Sequence, residues 1–175
     1  MIRELVCVVA LASGPAGAVE ISANGFLVRH EMTIAAPAAK VYDALTAHIG
    51  VWWNAQHTYS GDSRNLSIDL RPGGCFCERL ANGSVEHMRV VQLRENQLLR
   101  MSGGLGPLQG SGVAGSMTWL LSPTDNATRL ELTYSVGGYI AGGFESIAPA
   151  VERMTGEQAT RLKRFVETGV AGEAK

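Results

Sequence analysis

Long apolar runs are missing from this 175-residue chain. No stretch approaches the roughly 18 residues that a membrane-spanning helix needs, so no transmembrane segment is expected. Charge of one sign is missing too: 15 basic and 16 acidic side chains are interspersed, with a net charge of -1. Without a basic run to track phosphates, nucleic acid is not an expected partner. Cysteine is scarce, at Cys7, Cys75 and Cys77. Two ligands with no second Cys or His pair at matching spacing do not make a structural zinc site. In a flat strand residues two apart have Cα atoms about 6.6 Å apart, at the upper limit for a disulfide, so Cys75 and Cys77 are expected as small buried thiols. There is no G-x-S-x-G elbow, no H-E-x-x-H, no phosphate loop and no dinucleotide fingerprint, and no metal or cofactor is expected.

Glycine, by contrast, is abundant, with 21 residues gathered in clusters such as "GGLGPLQGSG" and "VGGYIAGG", which suggests mobile loops around a compact sheet. The length suits one domain with a single core. The first 18 residues read differently from the rest. Arg3 precedes an apolar run from Leu5 to Ala12, a Ser-Gly-Pro break follows, and Ala16-Gly17-Ala18 has the A-x-A form of a cleavage site. This is the pattern of a secretory signal peptide over residues 1–18, cut before Val19, and it predicts a periplasmic or secreted, soluble domain over residues 19–175.

Hydrophobic periodicity supplies the element order. "FLVRHEMTI" alternates, with Phe26, Val28, His30, Met32 and Ile34 on one face, as a half-buried strand does. Pro37 then opens a helix in which Val41, Leu45 and Ile49 recur at i, i+4 and i+8, and a second short helix lies around His48 to Trp53. "NLSIDL", "QLLRMSG", "VAGSMTWLL" and "TRLELTYSV" read as further strands. A long helix runs from about Ser146 to Thr168 on the stripe Ile147, Val151, Met154, Gln158, Leu162 and Phe165, and Gly169 ends it.

Asn82-Gly83 is a strong two-residue hairpin signal. Counting back from it sets Glu78 opposite His87, Cys77 opposite Met88 and Cys75 opposite Val90. One face is then Cys75, Cys77, Met88 and Val90; the other carries Phe76, Glu78, His87 and Arg89. The first is the more apolar, so the charged face is expected to point outward. The whole is an α+β fold: a seven-stranded curved antiparallel sheet, two short helices after its first strand, and a long C-terminal helix that buries its stripe on the sheet.

"MTIAAPAAKVYDALT" followed by "WW", then "DLRPGGCFCE", then the long helix after "GGF" together resemble the START-like (SRPBCC) superfamily of helix-grip domains. Within it the chain is similar to the bacterial branch of heat-shock-protein ATPase activator homologues and to polyketide cyclase-like proteins. The resemblance covers about Gly25 to Val170. It implies an apolar cavity between sheet and C-terminal helix that holds a small hydrophobic or amphipathic, lipid-like molecule. Function does not follow from such a fold alone. Carriage of a ligand is the leading expectation. A cyclase- or hydrolase-type enzyme using His57, Glu78 or His87 for proton transfer is the first alternative, and an ATPase-activator-like protein-interaction module the second.

The residues themselves offer candidates for such a cavity. Met88, Met101, Met117, Trp119, Tyr134 and Met154 are in-phase, bulky and adaptable, and they either line a pocket or fill the core. Cys77 shares the apolar hairpin face with Met88. Trp52 and Trp53 are adjacent on a helix and diverge by about 100°, so one is expected beneath the sheet and Trp53 at a pocket edge, with His57 and Tyr59 on its rim. His30, on an apolar strand face, is expected as a hydrogen-bonded core residue.

Overall fold

The computed structural model describes residues 16–172. Its elements are β1 (Ala16–Ser22), β2 (Gly25–Ile34), α1 (Ala38–Ala47), α2 (Ile49–Trp52), β3 (Leu66–Ile68), β4 (Cys75–Leu80), β5 (Gly83–Arg94), β6 (Leu98–Ser102), β7 (Gly112–Pro123), β8 (Thr128–Tyr139) and α3 (Ala148–Thr168). All strands pair antiparallel in the order β1-β2-β8-β7-β6-β5-β4-β3. After β2 the chain crosses through α1 and α2 to the far edge at β3. It then walks back strand by strand until β8 pairs with β2. Such a meander needs only short turns, and it leaves one long inward face for α3 to cover.

The period-2 pattern does what it predicted. Phe26, Val28, His30, Met32 and Ile34 are all buried on β2. Trp119 pairs with Leu132 and Met117 with Tyr134 across β7 and β8, all four on the same buried face. Each such side chain contributes about 1.5–3 kcal/mol by leaving water. At 21 residues α3 is about 31 Å long. It packs on β1, β2, α1 and α2, and Gly169 ends it in the left-handed conformation at φ 78°. Its buried line is Val151, Thr155, Gln158, Leu162 and Val166. Ile147, Met154 and Phe165 sit at its half-buried margins, so the stripe is rotated slightly from the expected one. No helix among the described residues is long and apolar enough to cross a membrane.

Three expectations need correction. The sheet has eight strands rather than seven, because Ala16–Ser22 forms edge strand β1 on β2. An edge strand is held chiefly by its ladder of backbone bonds, and here its side chains are mostly exposed, so it leaves little alternation to read. The apolar run from Leu5 to Ala12 lies outside the described residues.

The second correction is the hairpin register. Its last pair is Leu80 with Gly83, so Ala81-Asn82 form the turn, and Glu78 lies opposite Val85 and Cys77 opposite Glu86. A bulge follows, in which His87 is the extra residue on β5, and beyond it Phe76 pairs with Met88 and Cys75 with Arg89. This register brings both Phe76 and Met88 into the core, where each is 1% exposed. Burial of an aromatic ring thereby overrides the local turn preference.

The third correction concerns the thiols: Cys75 and Cys77 are joined as a disulfide with Cα atoms 5.3 Å apart. The strand is locally shorter than the flat geometry assumed, at the very step where its partner bulges.

Candidate functional site

A cavity of ≈ 320 Å³ opens between the loop after α2, the β4–β5 hairpin, the loop before β7 and the first half of α3. Trp53, Phe76, Leu105, Leu108, Val151 and Met154 make its apolar wall. Gln56, His57, Thr58, Tyr59 and His87 bring the polar groups.

The loop wall is tied down from both sides. Asn54 caps a single 3-10 turn by accepting from the Gln56 amide at 3.0 Å, and its own amide N–H donates to Gln158 Oε1 on α3 at 2.9 Å. Its side-chain nitrogen also meets Glu157, which lies 3.1 Å from His57 Nε2. Trp53 donates its indole N–H to the His57 carbonyl at 3.2 Å. Opposite, the Tyr134 hydroxyl donates to the Gly103 carbonyl at 3.0 Å and accepts the Leu105 N–H at 2.9 Å, which fixes the loop carrying Leu105. Burial pushes that phenol's pKa up to about 12, so it stays a neutral donor.

The inner wall holds a buried acid–base pair. Glu78 is fully buried and its carboxylate collects the Tyr59 N–H at 3.0 Å, the Ser60 N–H, and His87 Nε2 at 2.9 Å. Burial pushes this carboxyl up, but the hydrogen bonds from Ser60, Tyr59 and His87 outweigh it and hold the pKa below the ordinary value. With Nε2 facing a carboxylate, the ring proton belongs there, and Nδ1 is left as an acceptor. Among the described residues that buried Nδ1 has no hydrogen-bond partner. The ring lies between Tyr59, stacked at 5.9 Å and 14°, and Phe76 at 5.1 Å. Burial holds the His87 pKa below the ordinary histidine value despite Glu78.

Thus Glu78 and His87 point inward, contrary to the expectation for that face. Arg89 alone of the three charged residues points outward, where it pairs with Glu86 and donates to the Gly73 carbonyl at 2.8 Å. The reason is the bulge: one extra residue lets the consecutive His87 and Met88 both be buried on the inner side of β5, where regular alternation would send one of them outward.

A second buried histidine lies under β1. His30 Nε2 meets Thr155 Oγ1 at 2.9 Å, and that hydroxyl donates onward to the Val151 carbonyl. His30 therefore donates and is a core residue, as expected. Gly17 and Gly156 flank the ring so closely that a Cβ on either would sit 3.0 Å from Nδ1 or 2.8 Å from Cε1. Burial lowers this pKa as well, against the opposing pull of Glu152.

These shifts predict an acid-sensitive fold. Both histidines have folded values below their unfolded value of about 6.5. In that window the unfolded chain binds more protons, so stability falls as pH drops below about 6.5, by up to about 1.4 kcal/mol per pH unit for each ring. Glu78, with a lowered folded value, adds a loss only once pH passes below the ordinary carboxylate range of about 4.3. Urea midpoints should decline steadily from pH 7 to pH 5, and His30→Gln or His87→Gln should flatten the decline. A level profile over that range would contradict the burial of both rings.

Comparison with known proteins now adds a family. The model of the family described as polyketide cyclase / dehydrase and lipid transport matches residues 26–167. The chain belongs to this family. Solved structures share its START-like fold: a conserved protein of unknown function from Enterococcus faecalis (TM-score 0.64, 16% identity, covering 87% of this chain and 78% of that one), and CalU16 from Micromonospora echinospora (TM-score 0.57, 16% identity, 90% and 88%). The Aha1 dimer from Colwellia psychrerythraea is a third (TM-score 0.54, 19% identity, 82% and 97%). At such identities the likeness is one of fold. No curated protein matches the chain.

Within this member of the polyketide cyclase / dehydrase and lipid transport family, four of the ten sequence candidates, Trp53, His57, Tyr59 and Met154, border the cavity. Met88, Met101, Met117, Trp119 and Tyr134 are in the core, each no more than 2% exposed and none on the cavity wall. Cys77 lies on the outer, half-exposed face of β4. Sequence reasoning missed Phe76 as a wall residue, because the register error turned it outward. It also missed Leu105 and Leu108, whose glycine-rich surroundings read only as mobile loop. Among the described residues no three His, Cys, Asp or Glu side chains converge as metal ligands would.

Proposed function

We propose that this protein binds a compact, largely apolar molecule with one hydrogen-bond donor, its apolar body against Trp53, Phe76 and Met154 and its donor at His87 Nδ1. The observation that carries this reading is an apolar cavity walled in part by His87, whose buried ring Nδ1 has no hydrogen-bond partner among the described residues. A buried polar atom without a partner costs about 1–3 kcal/mol, and a ligand O–H removes that cost. The volume, ≈ 320 Å³, is at the lower end of small-molecule sites, which favours a one- or two-ring body over a two-chain lipid. Lipid transport in the family's description supports carriage.

A direct test compares 1-naphthol with naphthalene by quenching of tryptophan emission. The naphthol should saturate at one site and bind about tenfold more tightly, and His87→Leu should erase the difference. Absence of saturable binding by either compound would sink the reading.

Proton transfer is a second reading, favoured by Glu78 on Nε2 with Nδ1 free, the arrangement that orients and strengthens a general base. Export is likewise a proposal. Cleavage before Val19 would remove the first three residues of β1, including Gly17 beside His30. N-terminal sequencing of protein from its own host decides it, and an intact Met1 would refute it.

A further inference from the structure

The Cys75–Cys77 bridge plays no part in the cavity chemistry, yet it spans one of the cavity's wall residues, Phe76. Both cysteines are half-buried on the outer face of β4, and among the described residues only the three-residue edge strand β3 lies beyond them in the sheet. Their Cα separation of 5.3 Å is about 1.3 Å less than that of a flat strand. The step from Phe76 to Cys77 is where β5 inserts His87. A shortened strand facing a lengthened one bends the hairpin at this point, and Phe76 and His87 enter the cavity from the bend.

The charge environment distinguishes the two sulfurs. Cys75 is opposite Arg89 and Cys77 opposite Glu86. Because of the bulge, Glu86 and Arg89 share the outer face and pair with one another although three residues apart. An arginine opposite Cys75 and a glutamate opposite Cys77 bias the leaving thiolate toward Cys75, by an amount that their mutual pairing reduces.

We propose that Cys75–Cys77 is a thiol–disulfide exchange site for a dithiol reductant, and that its state sets the shape of the cavity wall at Phe76 and His87. The incoming thiolate attacks Cys77 Sγ, forming a mixed disulfide, and the S–S bond breaks with Cys75, the cysteine opposite Arg89, leaving as the thiolate. The reductant's second thiol then displaces Cys77 and closes the reductant's own disulfide. Two electrons pass from the dithiol to the bridge, and its two protons end on Cys75 and Cys77. With the tether gone, β4 can lengthen, and the bulge that turns His87 inward loses its counterpart.

The part of this proposal that concerns ligand binding rests on the function proposed above, and the experiment separates the two. The full chain is compared with and without dithiothreitol. Mass spectrometry of the tryptic peptide carrying Cys75 and Cys77 reports the bridge. The His87 ring resonances, assigned with His87→Gln, report the wall, with the His30 ring as an internal control. Titration with 1-naphthol reports the cavity.

Expected are a bridged peptide before reduction, a shifted His87 signal after it with His30 unchanged, and a change in naphthol affinity of about threefold or more. The double variant Cys75→Ser, Cys77→Ser should show the reduced spectrum without reductant. A peptide never found bridged, or a His87 signal indifferent to reduction, overturns the proposal. A His87 signal that moves in a protein binding no naphthol in either state upholds the redox site and refutes the binding reading.

Discussion

Replacing Trp52 with alanine is expected to cost about 4 kcal/mol of folding stability, at the upper end for a single substitution. Its ring is fully buried and packs against Trp119 of the sheet at 6.3 Å and Trp53 at 5.6 Å. Its indole N–H also donates to the Ala44 carbonyl at 2.7 Å, which joins the end of α2 to α1. Deletion leaves a cavity between helices and sheet and one carbonyl short of a donor, and both effects act in the same direction. Against a typical total of about 5–15 kcal/mol, the variant should show a much lower urea midpoint with an unchanged slope. A loss below about 1.5 kcal/mol would show that Trp52 is not the keystone of this contact. Trp53→Phe is the useful contrast, because it keeps a ring at the cavity and should act on naphthol affinity more than on stability.

The second large effect is expected at Glu78. Alanine there removes in one stroke the acceptor for His87 Nε2 and for the amides of Tyr59 and Ser60. Three buried or half-buried donors lose their partner, and a loss of about 3–5 kcal/mol follows. The loop carrying Tyr59 should loosen with it, which amide hydrogen exchange over residues 58–61 would report. Glu78→Gln keeps the shape and one carbonyl oxygen, and should cost about half as much. That milder variant also tests proton transfer. If His87 is a working base, turnover of a substrate should fall by about 100-fold or more while the fold survives. Turnover indifferent to Glu78→Gln would leave the pair as an anchor for the loop and nothing more.

Much of this architecture was legible in the sequence because it rests on local periodicity. The run from Phe26 to Ile34 alternates so regularly that strand, face and the burial of His30 all follow from it. Leu130, Leu132 and Tyr134 follow the same logic. The Gly169 stop needs only the left-handed conformation that glycine adopts without strain. The site was less legible. Glu78 and His87 were visible as an acid–base constellation, but the assumed register turned them outward. Met88, Met101 and Met117 have the chemistry of pocket-lining residues, yet sequence spacing does not distinguish a hollow interior from a filled one, and here they are filled in.

What the sequence alone determined is therefore the set of elements, their order and the inward face of most of them, since each follows from side-chain period along a single segment. Trp53, His57 and Tyr59 read as a pocket edge and rim on that basis, together with the family resemblance. Only the tertiary structure decided the eighth strand, the hairpin bulge and the Cys75–Cys77 bridge. Each depends on a partner strand rather than on its own residues: β1 is held by β2, and β4 and β5 settle their register by where Phe76 and Met88 can be buried together. One extra residue at His87 then places an imidazole on the cavity wall and a carboxylate behind it. Pairing energy and core packing across strands control that outcome, and neither is written in the pattern of one strand.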